Sequence, residues 1–375
     1  MAKVQNLSDI QQEIAFTEFD FYQRYAEIFK TSELGRIKSL LPLREMAMSF
    51  GLVEERPKSL RTKRGRKSFF TPEGKVALAF LKMYTGLSAP KLVEALNGNI
   101  HYQIFCGIRI SPENQLTNYK LIDSILLELS KALRIQEQQK LPADALKPYM
   151  KNLDTVYTDA SCYESLMRFP PDVKLLWECA ERAYKMMCGI SSQLGGHRLR
   201  TKYNDIEKAN LAYKKQRKHT KTVEFGAKCN NILIDGISFI EKLSFNAFNE
   251  GTRLKHCVSL SEKLAGVPVK KIGGDQGYSG NDNRTFCKEN KIEASFTRKG
   301  RTGKNEVKNT TKRELARVRA TAMEGSFGTQ KEHYGLRKIA ARIKSTENMQ
   351  SFFGIHTANV VNLARRESVQ VALAA

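Results

Sequence analysis

No Cys-x-x-Cys pair occurs in this sequence, and its seven cysteines (Cys106, Cys162, Cys179, Cys188, Cys229, Cys257 and Cys287) and six histidines are scattered. That pattern argues against a zinc ribbon, a zinc hydrolase or a Cys–His nucleophile, and it predicts reduced thiols. There is also no apolar run of the ~20 residues that a bilayer-spanning helix needs, and no basic-then-apolar leader. The expectation is a soluble, cytoplasmic protein with no membrane partner. Internal repeats and low-complexity tracts are absent. Tryptophan is reduced to Trp177, which lies among Leu175, Leu176 and Cys179 and is expected in a core. The last shortage is acid: 39 Asp and Glu stand against 62 Lys and Arg, a net charge of +23.

An excess of that size, spread over residues 56–67, 198–221 and 298–319, makes nucleic acid the leading partner. With 375 residues and 41% hydrophobic content, the chain is long enough for two domains. Residues 1–150 read as helical. Thr71-Pro72-Glu73 starts a helix carrying Val76, Phe80 and Met83, Gly86-Leu87-Ser88 breaks it, and a second helix with Leu92, Val93 and Leu96 stops at Gly98. This helix-turn-helix pattern fits either a DNA-reading element or an ordinary bundle turn. Leu121, Ile122, Ile125, Leu126 and Leu129 mark another helix. Between Arg56 and Lys67 lie seven basic residues and no acid, and Arg64-Gly65-Arg66 suits contact with DNA phosphates or a minor groove.

Beyond residue 150 the period changes. Short strands are expected at 155–159, 224–234, 237–247, 267–272 and 292–297, with a hairpin turn at Asp235-Gly236, a helical insertion at about 172–220 and a long helix at about 312–343. Carboxylates stand out against this basic background at three places. Asp159 closes the first strand in Val-Tyr-Thr-Asp-Ala-Ser, Asp275 follows the fourth in Gly-Gly-Asp-Gln-Gly-Tyr, and Glu324 lies on the late helix in Met-Glu-Gly-Ser-Phe-Gly-Thr-Gln-Lys. Asp154 and Asp282 are nearby rivals for the first two positions. Acids clustered within so basic a chain suit a divalent metal pair acting on a polyanion.

With Glu164 and Phe169-Pro170-Pro171-Asp172 after Asp159, Gly277-Tyr278 and Asn283-Arg284 after Asp275, and Lys331 and Tyr334-Gly335-Leu336 after Glu324, the chain resembles DDE transposases of bacterial insertion sequences. The insertion-sequence-five group and its relatives are the nearest pattern. Leu87-Ser88, Glu94-Ala95-Leu96 and Tyr102-Gln103-Ile104-Phe105-Cys106-Gly107 are similar to the helical N-terminal region of that group. Its terminal motif spaces Tyr, Arg, Glu and Lys by two, three and six residues; Glu324 and Lys331 keep the last interval, whereas positions 317 and 320 hold Arg and Ala, with Arg319 one place away.

The resemblance implies an α/β, RNase H-like mixed sheet over 151–375 with a helical insertion, preceded by an all-α DNA-binding region over 1–150. It implies Asp159, Asp275 and Glu324 as catalytic residues and ligands of two Mg²⁺ ions, replaceable by Mn²⁺, with Arg319, Lys331, Lys338, Arg64 and Arg66 on DNA. Element ends and target DNA would be the partners, bound by a homodimer or higher assembly at the nucleoid. The reaction expected is metal-dependent cleavage followed by joining of the freed 3′-hydroxyl to target DNA. Two other readings share these features: a DNA-binding descendant without activity, and a nuclease of the same fold that never joins strands.

Overall fold

The computed structural model describes residues 4–6, 16–53, 68–166, 171–196, 200–217, 225–297, 310–341 and 343–374. Two compact units emerge, one formed by residues 1–163 with 227–375 and the other by 164–226. The expected insertion falls within the second. The boundary expected near residue 150 does not separate compact units, because the N-terminal helices share a core with the sheet.

A ribbon strand β1 (Val4–Asn6) leads to α1 (Phe16–Thr31), α2 (Glu33–Leu40) and α3 (Leu43–Ser49), then α4 (Pro72–Thr85), α5 (Ala89–Gly98) and α6 (Ile100–Cys106). Strand β2 (Ile108–Ile110), antiparallel to β1, precedes α7 (Lys120–Ala132), α8 (Ile135–Gln138) and α9 (Lys140–Leu146). The punctuation of α4 follows its sequence. Thr71 accepts the Gly74 N–H as N-cap, Pro72 fills the first turn where no donor is needed, and Gly86 ends the helix at φ 62°. The face of α4 from Val76 to Leu81 is buried throughout. Helix α5 turns Leu92, Val93 and Leu96 inward and leaves Pro90, Lys91 and Glu94 exposed, so its solvent face is not a basic one.

The larger sheet is built from β3 (Thr155–Ser165), β4 (Gly226–Ile234), β5 (Ile237–Ser244), β6 (Lys271–Gly273), β7 (Glu293–Ala294) and β8 (Lys338–Ile339). Their order is β5-β4-β3-β6-β7, with β8 also on β3. The β4–β5 pair is antiparallel, while β3–β6 and β6–β7 are parallel, giving the expected mixed sheet. Its hairpin turns where expected: Asp235 and Gly236 both have positive φ, 48° and 80°, as a two-residue turn of matching twist requires.

Helices α12 (Leu254–Ala265) and α13 (Asn281–Glu289) flank the sheet. The late helix is divided into α14 (Thr310–His333) and α15 (Lys344–Ala374), so the expectation of one helix to residue 343 is corrected. Gly335, at φ 72°, sits in the break, and β8 follows it. Helix α15 joins the two halves of its unit. Phe353 packs on Phe50 and Phe80, at centroid distances of 6.0 and 4.9 Å, and Asn359 bonds both backbone groups of Ser238 on β5.

The second unit is a helical pair, α10 (Pro171–Gln193) and α11 (Tyr203–Arg217). Trp177 is half-buried and stacks on Tyr203, while its neighbours Leu175 and Leu176 are exposed. The core expected around this tryptophan is therefore an aromatic contact between two helices. Among the described residues no helix is long and apolar enough to cross a membrane.

Candidate active site

Strands β3 and β6 run parallel and pair as Thr155–Lys271, Val156–Ile272 and Tyr157–Gly273. Asp159 and Asp275 each lie two residues beyond the last of these pairs. They thus occupy equivalent places past the carboxyl edge of the pairing, where open α/β sheets collect functional groups. Strand β3 itself continues to Ser165, so Asp159 lies within the strand instead of ending it as expected. Asp154 precedes β3, 3.4 Å from Lys270, and Asp282 is exposed on α13.

The Asp159 side chain is about one-fifth exposed, and burial raises its pKa. The Ala160 N–H, donating to Oδ1 at 2.8 Å, and the Arg319 guanidinium, donating to Oδ2 at 2.8 Å, pull the other way. The negative charges of Asp275 and Glu250 push it further up, so these three acids share one field. Glu250 escaped sequence reading. It opens a short helical turn after β5 and pairs with Lys228 at 2.7 Å; no spacing in the chain marks it.

Asp275 is held by the turn that follows it. Tyr278, fully buried, donates its hydroxyl to Asn230 Oδ1 on β4 and lies 3.5 Å from the hydroxyl of Thr158, the neighbour of Asp159. Asn230 in turn donates to Glu241 at 2.9 Å, and Arg253 closes the chain on Glu241. A shift of register in β4 between Asn230 and Asn231 puts both amides in the interior. Asn231 donates to Tyr163, and Tyr163 donates to Gln330 on α14 at 2.6 Å. A Cβ at Gly251 would come within 2.4 Å of the Gly277 carbonyl oxygen, so the turn bearing Glu250 can approach the Asp275 turn only with glycine there.

The structure brings Asp159, Asp275 and Arg319 together and leaves Glu324 apart. Arg319, Met323 and Phe327 of α14 face the sheet, whereas Glu324, 140° round the helix from Arg319 at about 100° per residue, is exposed. Among the described residues no group of three His, Cys, Asp or Glu side chains is spaced to hold a metal. Two of the donors nevertheless suit one. Asp275 Oδ1 is buried with no hydrogen-bond partner among the described residues, and with Asp159 it offers hard oxygen to a hard cation.

Lys331 is half-buried in the last turn of α14. Lys338, expected on the same helix, is exposed on β8. Arg64 and Arg66 fall outside the described residues.

Two family models match the chain. Residues 272–363 match the transposase DDE domain, a span that holds Asp275 and Glu324, and residues 23–122 match the transposase domain DUF772. No curated protein and no solved structure gives a match. Helical region and sheet alike therefore define a transposase. The chain belongs to the DDE transposases of insertion sequences.

Proposed function

We propose that this transposase cleaves DNA at element ends and joins the freed end to a target, with Asp159, Asp275 and Glu324 as its acidic set. The observation that carries the reading is the pairing of Asp159 and Asp275 beyond adjacent parallel strands, with Asp275 Oδ1 buried and unpartnered among the described residues. Those two carboxylates would hold divalent cations, Mg²⁺ or Mn²⁺, whose chemistry is to activate the attacking oxygen and stabilise the leaving one. Glu324 enters on the family pattern. Because its side chain stands apart from the pair, the reading requires α14 to bring it in when DNA binds.

The reaction needs no covalent enzyme intermediate. A water oxygen bonds to phosphorus as the P–O3′ bond breaks, releasing a 3′-hydroxyl. That oxygen then bonds to a target phosphorus as the target P–O3′ bond breaks; in each step the attacking oxygen gives up one proton to solvent and the departing O3′ takes one up from it. Arg319 keeps a positive charge beside the acids and offers it to a phosphate oxygen, while Lys331 meets the flanking phosphate. The N-terminal helices, together with the basic residues 56–67, contact the ends. The working form is a homodimer or larger on DNA at the nucleoid.

Cleavage of a supercoiled plasmid carrying the element ends, in Mg²⁺, tests the set. Asp159→Asn, Asp275→Asn and Glu324→Gln should each abolish product while binding in Ca²⁺ persists, because losing a ligand removes few phosphate contacts. Glu250→Gln should retain cleavage. The reverse result for the two glutamates would transfer the third acidic role to Glu250.

A further inference from the structure

We propose that the outer face of α10 is a docking surface for the same face of a second copy of this chain. One side of the helix is occupied within the chain: Trp177 and Tyr184 stack on Tyr203 of α11, at centroid distances of 5.8 and 3.9 Å. Another side is apolar and, among the described residues, open. Leu176, Ala183 and Ile190 recur at intervals of seven, Cys179 and Met186 fall three positions after the first two, Met187 lies beside them, and Leu194 follows just past the end of the helix. All of these residues are exposed, Leu176 by 70%, Met186 by 63% and Leu194 by 80%. A seven-residue apolar repeat is the signature of a seam between helices, and this one continues for ~21 Å along the axis at 1.5 Å per residue.

Area and charge together select the occupant. The exposed large side chains of this face leave on the order of 500 Å² of apolar surface, near the top of the ~300–600 Å² of the largest patch on a typical monomer. Doubled across a two-fold axis, that is about 1,000 Å², the smallest area expected of a specific contact between two chains. Helix α10 carries Asp172, Glu178 and Glu181 against Lys174, Arg182 and Lys185, so its net charge is zero in a chain of +23. Two such chains repel wherever their basic surfaces meet, and this neutral face is a place where they can touch. DNA or an anionic lipid surface would call for a basic rim that the helix lacks. A repeat that presents the same seam on both partners also satisfies the two-fold, self-matching contact usual in homo-oligomers. The surface is independent of the cleavage chemistry, since the association needs neither DNA nor metal.

The test is the mass of the full chain in solution, without DNA and at raised salt, by sedimentation equilibrium. Wild type should be a dimer. A triple variant, Leu176→Glu with Met186→Glu and Ile190→Glu, should be monomeric at a tenfold higher concentration with its melting temperature unchanged. Mixing it with the matching Leu176→Lys, Met186→Lys, Ile190→Lys chain should restore a mixed dimer, which happens only if the face meets itself. If the triple variants do not fold, the pair Met186→Ala with Ile190→Ala should still weaken the dimer at least tenfold. A monomeric wild type, or a dimer indifferent to these changes, overturns the proposal. So does a fall in melting temperature without a change of mass in the alanine pair, which would mean that the chain's own residues cover the face.

Discussion

Asp159 and Asp275 are 116 positions apart in the chain and owe their meeting to strand register and to Tyr278. Removing the Tyr278 hydroxyl would leave Asn230 Oδ1 without its donor in the interior, an unsatisfied group that costs about 1–3 kcal/mol. Tyr278→Phe should therefore lower stability by that amount in urea unfolding and slow cleavage as well, because the turn holding Asp275 loses its tie to β4 and β3. Unchanged cleavage with reduced stability would separate the tie from the chemistry. Lys331 and Lys338 give a second comparison at this scale. If Lys331 holds the phosphate beside the cleaved bond, Lys331→Ala should weaken binding of a pre-nicked end by ~1–3 kcal/mol, the worth of a charge-assisted hydrogen bond. Lys338, on β8 beyond the end of the helix, should matter less; equal, mild losses would mean a general basic surface.

At the scale of elements, α15 is the piece on which most packing converges. Its His356 is fully buried against Phe352, 4.5 Å between ring centroids, and near Phe239, with Nε2 unpartnered among the described residues. Burial lowers its pKa from 6.5 to about 3. Between those values the unfolded chain binds a proton that the folded chain refuses, so this histidine's contribution to stability falls as pH drops below 6.5. The loss is about 1.4 kcal/mol per pH unit once the unfolded histidine is charged. Urea unfolding at pH 7 and pH 5 should show it, and His356→Gln should flatten that part of the slope. An unaltered slope in the variant would assign the dependence to other groups. Helix α14 is tied differently, through Gln330 to Tyr163 and through Ser326 to Ser238 at 2.7 Å, and these bonds lie on the side away from Glu324.

The whole molecule decides whether its N-terminal helices stand alone. Phe50 and Phe80 pack on Phe353, and Gln139 bonds both backbone groups of Ile240, so residues 1–150 lack part of their own core when expressed separately. A fragment 1–150 should show helix but no cooperative thermal transition by circular dichroism. The full chain should melt cooperatively, and a chain ending at residue 343 should behave like the fragment. A sharp transition in fragment 1–150 would restore an independent domain there. End recognition is therefore best mapped in the full chain, by comparing binding of end and random duplex over a range of salt.

Some of this was legible along the chain because it depends on neighbours. The Thr71-Pro72 start and Gly86 stop of α4, the Asp235-Gly236 turn and the motifs around Asp159, Asp275 and Glu324 are local, and the chemistry of each is written in consecutive residues. The mixed sheet followed from the same motifs through the family pattern. What only the tertiary structure decided depends on partners far apart in sequence. The Arg319–Asp159 bond, Glu250 in the field of that aspartate, and the long reach of α15 across both halves have no periodic signal to announce them. The break after His333 was also missed, since the apolar spacing on either side of Gly335 reads as one helix until β8 is seen pairing with β3. Exposure is non-local in the same way: the Leu175–Leu194 stripe has the composition of a core helix, and only the folded chain leaves it facing solvent.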